Sequence, residues 1–273
     1  MVERSENRGD KMELWQIIVA LIQGLVEWLP ISSEGQAVLF VYNFSSVPPD
    51  SLLTLVVWLH LGTALAVIVR YPRTILDIIM IKDRKLFRQL LIATICTAIT
   101  AIPLYFVVKE SFILFNGEII NILVGGLLLV TAVVLYLPTR VDATETNVIN
   151  ITNKVAAVTG LVQGVSVFPG LSRSGTTVSA LLMQRVEKET ALKFSFLMSV
   201  PAVLGIFAME MLIGDVVVPS IGILDLLIME IIVFIVGLAS MEFLLQVAKR
   251  VSFWKLCLVL ALVAIVFGIP ALL

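Results

Sequence analysis

The sequence predicts an all-α polytopic membrane protein: two inverted repeats, each a re-entrant helical hairpin followed by three transmembrane helices. Three observations lead there: an apolar composition, six apolar runs of spanning length, and two polar breaks related by a shift of 140 residues, as from Ser32 to Ser172.

Composition excludes most alternatives. Residues of the AVILMFWYC set make up 59% of the 273-residue chain and charged residues 14%, with a mean hydropathy of +1.06. Soluble domains carry about 45–50% apolar and about 25% charged residues. A net charge of −1 offers no footprint for a nucleic-acid partner. Cys96 and Cys257 both lie inside apolar runs, which suggests neither a disulfide framework nor a cysteine metal site. The polar residues 1–13 form a solvated tail without the charged-then-apolar-then-small pattern of a cleaved signal.

A bilayer core needs about 20 predominantly apolar residues. Six runs meet that need: Leu52–Val69, Gln89–Val108, Ile119–Leu137, Leu192–Ile213, Gly222–Val247 and Phe253–Leu272. Two other stretches are interrupted. Leu14–Leu29 stops at Pro30 and resumes near Ala37–Tyr42; Val155–Phe168 stops at Pro169 and resumes near Thr177–Met183. Two half-length helices around a polar turn are the pattern of a re-entrant hairpin, whose irregular backbone must be buried or line a wet cavity.

The two breaks are also an internal repeat. Leu21-Ile-Gln-Gly overlies Leu161-Val-Gln-Gly, Ser32 falls on Ser172, Gly35 on Gly175 and Val38 on Val178. Matches of Leu and Val are common by chance in apolar sequence, but the Gln-Gly pair with a Ser and a Gly at equal spacing is harder to dismiss. The chain then forms a single membrane domain over 1–273, with repeat units 14–138 and 139–273. Three full spans per unit is an odd number, so the second unit is inverted, an arrangement common in transporters.

Charge supports this topology independently. Arg70, Arg73, Lys82, Arg84, Lys85 and Arg88 share one loop; Arg140 and Lys154, then Arg185, Lys188 and Lys193, then Lys249, Arg250 and Lys255 follow. If both hairpins return to their side of origin, all these loops face one side. The opposite loops hold only Lys109, apart from the tail. The positive-inside rule makes the basic side cytoplasmic and puts both termini outside.

The chemistry is expected where polar groups are costly. In the first break, Gln23 and Glu27 are four residues apart and share a helix face. Glu27 precedes Pro30 by about one turn, and an intramembrane carboxylate is a functional-site candidate by default; the alternative is a Glu bonded to a neighbouring helix or snorkelling to an interface. The second break, Phe168-Pro-Gly-Leu-Ser-Arg-Ser-Gly-Thr-Thr177, holds Arg173, the one basic residue in either break. Its fork suits phosphate oxygens. Turn N–H groups and a half-helix N-terminus favour an anion there, and Ser172, Ser174, Thr176 and Thr177 add hydroxyls. The alternative is a structural Arg173–Glu27 pair.

The segments G-L-V-E-W-L-P-I-S-S-E-G-Q and P-G-L-S-R-S-G resemble the two signature motifs of the undecaprenyl pyrophosphate phosphatase family, the bacitracin-resistance type. Further similarity covers His60-Leu-Gly-Thr-Ala-Leu-Ala-Val and Phe194-Ser-Phe-Leu-Met-Ser-Val-Pro, so it runs over nearly the whole chain. The resemblance implies hydrolysis of a long-chain polyprenyl diphosphate to the monophosphate lipid carrier, in the cell membrane, within cell-envelope lipid recycling. By position Glu27 matches the second glutamate of the family's E-x-x-x-E motif, Ser33 its candidate nucleophile and Arg173 its phosphate-binding arginine. The motif's glutamate pair is implicated in binding a divalent cation, Mg²⁺ or Ca²⁺, here through Glu27 and Gln23. Ser32, Gln36, Ser172, Ser174, Gly175 and Thr176 are the expected substrate-binding neighbours.

Two residues depart from the pattern. Gln23 stands where the family has its first glutamate, and Gln36 where it has a histidine, so the chain is similar to an archaeal-type variant with S-S-E-G-Q. Gln36 cannot be a general base; Glu34 and His60, the one histidine in the chain, are candidates to replace it. The expected reaction has Ser33 or a water attacking the terminal phosphorus while Glu34, Glu27 or His60 takes the proton. The competing reading is a transporter of polyprenyl phosphate or a related anionic lipid. Monomer and homodimer both stay open.

Overall fold

The structure, a computed structural model, describes residues 12–45, 47–114, 117–140, 150–213, 221–247 and 253–268. Most of the predicted polar tail, the basic residues Lys249 and Arg250, and the end of the last expected span lie outside the described residues. The chain folds as helices α1 (Leu14–Val26), α2 (Ser33–Phe44), α3 (Pro49–Arg70), α4 (Pro72–Ile79), α5 (Arg84–Leu114), α6 (Gly117–Tyr136), α7 (Asn153–Val165), α8 (Arg173–Met183), α9 (Lys188–Ile213), α10 (Ile223–Val247) and α11 (Phe253–Gly268), with a 3₁₀ turn at Leu137–Arg140.

The six expected spans coincide with α3, α5, α6, α9, α10 and α11. Of these, α5, α6, α9 and α10 are long and apolar enough to cross a membrane on their own. α3 reaches that standard together with α4, from which it is bent by 93° at Tyr71, and α11 is a shorter apolar helix. Many large apolar side chains stay exposed, among them Ile95, Ile99 and Ile102 on α5 and Ile231 and Ile235 on α10. An apolar outer surface of this kind is what a lipid solvent requires. The chain is therefore a multi-pass, all-helical membrane protein.

Both breaks fall where they were expected, with different edges. α1 ends at Val26, with Glu27 as its C-cap, and α2 begins at Ser33, four residues before the expected restart. α7 ends at Val165 and α8 begins at Arg173. The physical reason is capping: Ser32 Oγ accepts from Gly35 N at 3.2 Å and Ser172 Oγ from Gly175 N at 3.1 Å. A serine three residues ahead satisfies an otherwise orphaned first-turn N–H, so each second half-helix starts at once.

Glycines set the closest approaches. A Cβ on Gly24 would lie 2.9 Å from Val236 Cβ, which fixes α1 against α10. One on Gly164 would lie 2.6 Å from Thr97 O, which fixes α7 against α5. Small residues of this kind let helices meet where no hydrophobic drive separates protein from lipid. Trp28, fully buried, donates from Nε1 to Gly237 O at 2.7 Å and meets Phe196 edge-on at 5.1 Å. Ser240 Oγ donates to Gly24 O at 2.7 Å. The first break is thus held to α10 and α9 before any functional side chain is placed.

Candidate active site

The two breaks touch at their tips. Gly170 has φ +110°, a conformation only glycine adopts freely, and its N–H donates to Ser32 Oγ at 3.0 Å. Thr131 of α6 ties down the same turn, donating to Gly170 O at 2.8 Å and accepting from Ser172 N at 3.1 Å. Ser174 Oγ donates to Leu29 O at 3.2 Å. A Cβ on Gly35 would stand 3.0 Å from Gly170 Cα, so the two turns are in backbone contact. Ser32 itself is left-handed, with φ 61°; its oxygen serves both its own helix cap and the opposite turn, which offsets that strain.

This junction gathers the chemically active side chains around one buried carboxylate. Glu27 Oε2 accepts from Ser33 Oγ at 2.5 Å and from Gln23 Nε2 at 2.8 Å. Its Oε1 is paired with Arg173 Nη2. His60 Nε2 stands 3.4 Å from Glu27 Oε2, and His60 Nδ1 is 2.6 Å from Val56 O. That carbonyl can only accept, so Nδ1 carries a proton and Nε2 is the nitrogen presented to the site. Ser33 and Arg173 each occupy the first position of a half-helix, α2 and α8. Two positive helix ends and a guanidinium therefore converge on one cavity.

That cavity is lined by Glu27, Ser32, Ser33, Glu34, His60, Leu171, Ser172, Arg173 and Ser174. Arg173 Nη1 is buried without a hydrogen-bond partner, so one arm of the fork is uncommitted. Eight of the residues expected from the sequence are brought together here: Glu27, Ser33, Arg173, Glu34, His60, Ser32, Ser172 and Ser174. Others are not. Gln36 turns away: its amide donates to Ile31 O at 3.4 Å and lines a separate apolar cavity of about 360 Å³ beside α11. Ser33 and Glu34 line the site cavity, whereas Gln36, two residues beyond Glu34, lies roughly 200° around α2 from it. Thr176 and Thr177 return their hydroxyls to Ser172 O and Arg173 O, bonds that serve the helix rather than a ligand. Gly175 contributes a close approach to Pro30, where a Cβ would lie 3.3 Å away.

Sequence reasoning missed two residues. Thr131 orients the second turn from α6. Gln163 of α7 is buried with its Oε1 unpartnered, and it lines a second cavity of about 110 Å³ together with Glu34, His60 and Arg173. The repeat held the signal for Gln163, since it is the counterpart of Gln23, whose Oε1 is likewise buried and unpartnered.

The fit of a divalent cation follows from those donors. Among the described residues no three His, Cys, Asp or Glu side chains gather closely enough to hold a metal by themselves. Mg²⁺, however, is commonly bound by one or two protein oxygens plus substrate phosphates. Glu27 and the unpartnered Gln23 Oε1 supply such a pair. Arg173 is the one Lys or Arg lining either cavity, so a diphosphate would find less positive charge than it carries negative. The residues present fit the ion.

A serine bonded to a carboxylate, an arginine with a free arm and two helix N-termini, all within an apolar helical bundle, make a multi-pass membrane protein with a buried site suited to an anionic group. More narrowly, the chain belongs to the family described as Bacitracin resistance protein BacA, which matches residues 16–266. A protein of Methanopyrus kandleri named undecaprenyl-diphosphatase is 38% identical over 269 residues, 96% of this chain and 98% of its own length. One of the same name from Methanothrix thermoacetophila is 38% identical over 252 residues, covering 92% and 95% of the two chains. A bacterial one, from Treponema denticola, is 32% identical over 253 residues, covering 88% and 90%.

Proposed function

We propose that this protein hydrolyses a polyprenyl diphosphate of the undecaprenyl type to the monophosphate carrier and inorganic phosphate, at a site between two re-entrant hairpins in the cell membrane. The observation that carries the reading is Ser33 Oγ at 2.5 Å from Glu27 Oε2 while the other oxygen of the same carboxylate pairs with Arg173. A hydroxyl, its proton acceptor and a phosphate-binding fork then share one group. The free Nη1 arm of Arg173 and the first-turn N–H groups of α2 and α8 hold the terminal phosphoryl oxygens. Ser33 Oγ attacks that phosphorus as its proton passes to Glu27. The bond from phosphorus to the bridging oxygen breaks, and the prenyl monophosphate leaves. A water, deprotonated at His60 Nε2, then attacks the seryl phosphate; the bond from phosphorus to Ser33 Oγ breaks, the proton held by Glu27 returns to Oγ, and phosphate leaves. Glu27 and Gln23 Oε1 are the oxygens that would hold Mg²⁺ or Ca²⁺, which supplies charge neutralisation for the diphosphate when bound. Most of the catalysis in such a transfer is positioning and charge stabilisation.

The same reading includes the architecture: one membrane domain with inverted units 14–138 and 139–273, basic loops inside and the polar head admitted from the outer face. The matching contacts of Gly24 with α10 and Gly164 with α5 support it. So does the pair of serine caps at Ser32 and Ser172. The test is phosphate release from a long-chain prenyl diphosphate by purified protein in detergent, with Mg²⁺, with Ca²⁺ and with chelator. Release that a chelator abolishes supports the whole reading. No release under any condition would favour the transporter of an anionic prenyl lipid.

A further inference from the structure

α3 is 22 residues long, about 33 Å at 1.5 Å per residue, which matches a bilayer core of about 30 Å. At Tyr71 the chain turns by 93° into α4. A helix set square to the end of a span lies in the plane of the membrane surface. α4 has two apolar sides. Ile75 and Ile78 pack against the core cluster that contains Leu90, Phe194 and Met241. Leu76, Ile79 and Met80 lie on the adjoining side and are 55%, 69% and 59% exposed; Ile81, just beyond, is 48% exposed. Thr74 and Asp77 fall on the remaining side, at about 100° per residue.

The turn after α4 holds this patch in place. Ile81 has φ 54°, a left-handed conformation that a β-branched residue adopts only where its surroundings impose it. Its N–H donates to Ile78 O at 3.0 Å and Lys82 N–H to Asp77 O at 2.8 Å, so the chain closes back on α4 there. Asp83 Oδ1 then accepts from Leu86 N at 2.9 Å and opens α5. Around the apolar patch the charge is of one sign. Arg73, Lys82, Arg84, Lys85 and Arg88 are all exposed, and among the described residues none of them forms an ion pair. Arg84, Lys85 and Arg88 also crowd the start of α5, which has no acid in its first turn. That is the positive end of a helix, where cations are disfavoured. The basic excess is therefore left facing outward.

We propose that α4 and the turn 80–83 are an interfacial dock for anionic phospholipids, with Leu76, Ile79, Met80 and Ile81 among the acyl chains and Arg73, Lys82 and Lys85 at the head-group phosphates. The occupant is lipid because α4 leaves a spanning helix at the level where the bilayer ends, and because the patch is apolar on its open side and basic at its rim. Basic residues beside such a helix are drawn to an anionic leaflet, by roughly fivefold in affinity for each charge. The loop-charge orientation makes that leaflet the cytoplasmic one; the dock itself depends only on α3 crossing the bilayer.

Two measurements on the full chain test it. On a background without Cys96 and Cys257, nitroxides are attached at Ile79→Cys and Lys85→Cys, and the protein is reconstituted in phosphatidylcholine bilayers containing phosphatidylglycerol. The label at 79 should collide with molecular oxygen and be shielded from a water-soluble nickel complex; the label at 85 should do the reverse. A label at 79 reached by the nickel complex means that α4 lies in water, and one shielded from both reagents means that protein, such as a second copy, covers it; either overturns the proposal. In the second measurement, thermal unfolding in detergent is followed as phosphatidylglycerol or phosphatidylcholine is added. Phosphatidylglycerol should raise the melting temperature more. Neutralising three charges together, with Lys82→Gln, Arg84→Gln and Lys85→Gln, should raise its half-maximal concentration about a hundredfold. The charge-conserving set Lys82→Arg, Arg84→Lys and Lys85→Arg should leave it unchanged. If the neutralised protein does not fold, the unmodified protein carries the same test, because raising salt from about 0.05 M to about 0.5 M should weaken the effect of phosphatidylglycerol several-fold. Equal stabilisation by both lipids, an effect that salt leaves intact, or unchanged affinity in the neutralised protein each overturns the proposal. None of these readouts requires phosphate release, so they stand whichever way the phosphatase reading falls.

Discussion

Arg173 is where a structural role and the proposed phosphate-binding role would meet in one side chain. One arm pairs with Glu27 and the other is without a hydrogen-bond partner, so the geometry leaves room for both. Arg173→Lys keeps the charge and gives up the planar fork. Losing one of two aligned charge-assisted bonds should lower kcat/KM roughly ten- to a hundredfold, the equivalent of about 1.5–3 kcal/mol. Arg173→Ala should lose more activity. It also strands the Glu27 carboxylate and should destabilise the protein by about 3–5 kcal/mol. The double variant Arg173→Ala with Glu27→Gln should recover much of that stability and none of the activity. Thermal unfolding in detergent and phosphate release, measured on all three, check this; full activity in a folded Arg173→Ala protein would exclude the phosphate role. Glu27 and Arg173 were legible in the sequence because each is a charged residue where lipid makes charge costly; Ser33 came from the resemblance to the family motif. Gln36 was expected there from its place in the family motif. It lies two residues beyond Glu34, roughly 200° around α2, and lines the cavity beside α11 instead; linear spacing does not reveal which face a half-helix turns inward.

At the scale of elements, the position of each break depends on how closely its first half-helix approaches a full span. Gly160 and Gly164, one turn apart on α7, both lie against α5: a Cβ on Gly160 would fall 2.3 Å from Ala93 O, and one on Gly164 1.8 Å from Thr100 Oγ1. Gly164→Ala should therefore part the two helices and cost about 1–3 kcal/mol, the usual penalty of overpacking. Because α7 carries the turn that ends in Arg173, activity should fall along with stability. Gly126→Ala, where the added methyl meets nothing, should not destabilise and should gain about 0.5–1 kcal/mol from helix propensity. Melting curves of the two variants in one detergent make the comparison; equal effects would show that the close approach is not what holds α7. The elements themselves were legible from apolar run length, and the breaks from Pro30 and Pro169. The edges were not, because a serine cap restarts a helix at once and hydrophobicity does not register capping. The bend of 93° between α3 and α4 was also missed: Pro72 was available to mark it, but it stands in a basic segment that reads as a loop.

For the whole molecule the open issue is on which side each half begins, and the sign of the loops decides it. The basic residues Arg70, Arg73, Lys82, Arg84, Lys85 and Arg88 flank α4 and the start of α5, and Lys154, Lys188 and Lys193 flank the second hairpin. A membrane orientation retains Lys and Arg on the cytoplasmic face, so these loops should share that face. This holds only if α7 and α8 return to the side they start from. Were they together one crossing, residues 154 and 189 would lie on opposite faces. Cysteine accessibility separates the cases. The native thiols need replacing first, and Cys257→Ser is preferable to alanine because Cys257 Sγ donates to Pro30 O at 3.2 Å beside the first break. On that background Arg84→Cys, Lys154→Cys and Glu189→Cys should react with an impermeant maleimide only after the cytoplasmic face is opened. Gly222→Cys, between α9 and α10, should react in intact cells. A residue 84 reached only from outside would overturn the charge argument and the inverted orientation together. Residues 154 and 189 on opposite faces would leave the charge argument standing and remove the hairpin. The two failures have different physical origins, since one concerns loop charge and the other concerns whether a polar turn tied to Ser32 by Gly170 N can stop a chain halfway across a bilayer.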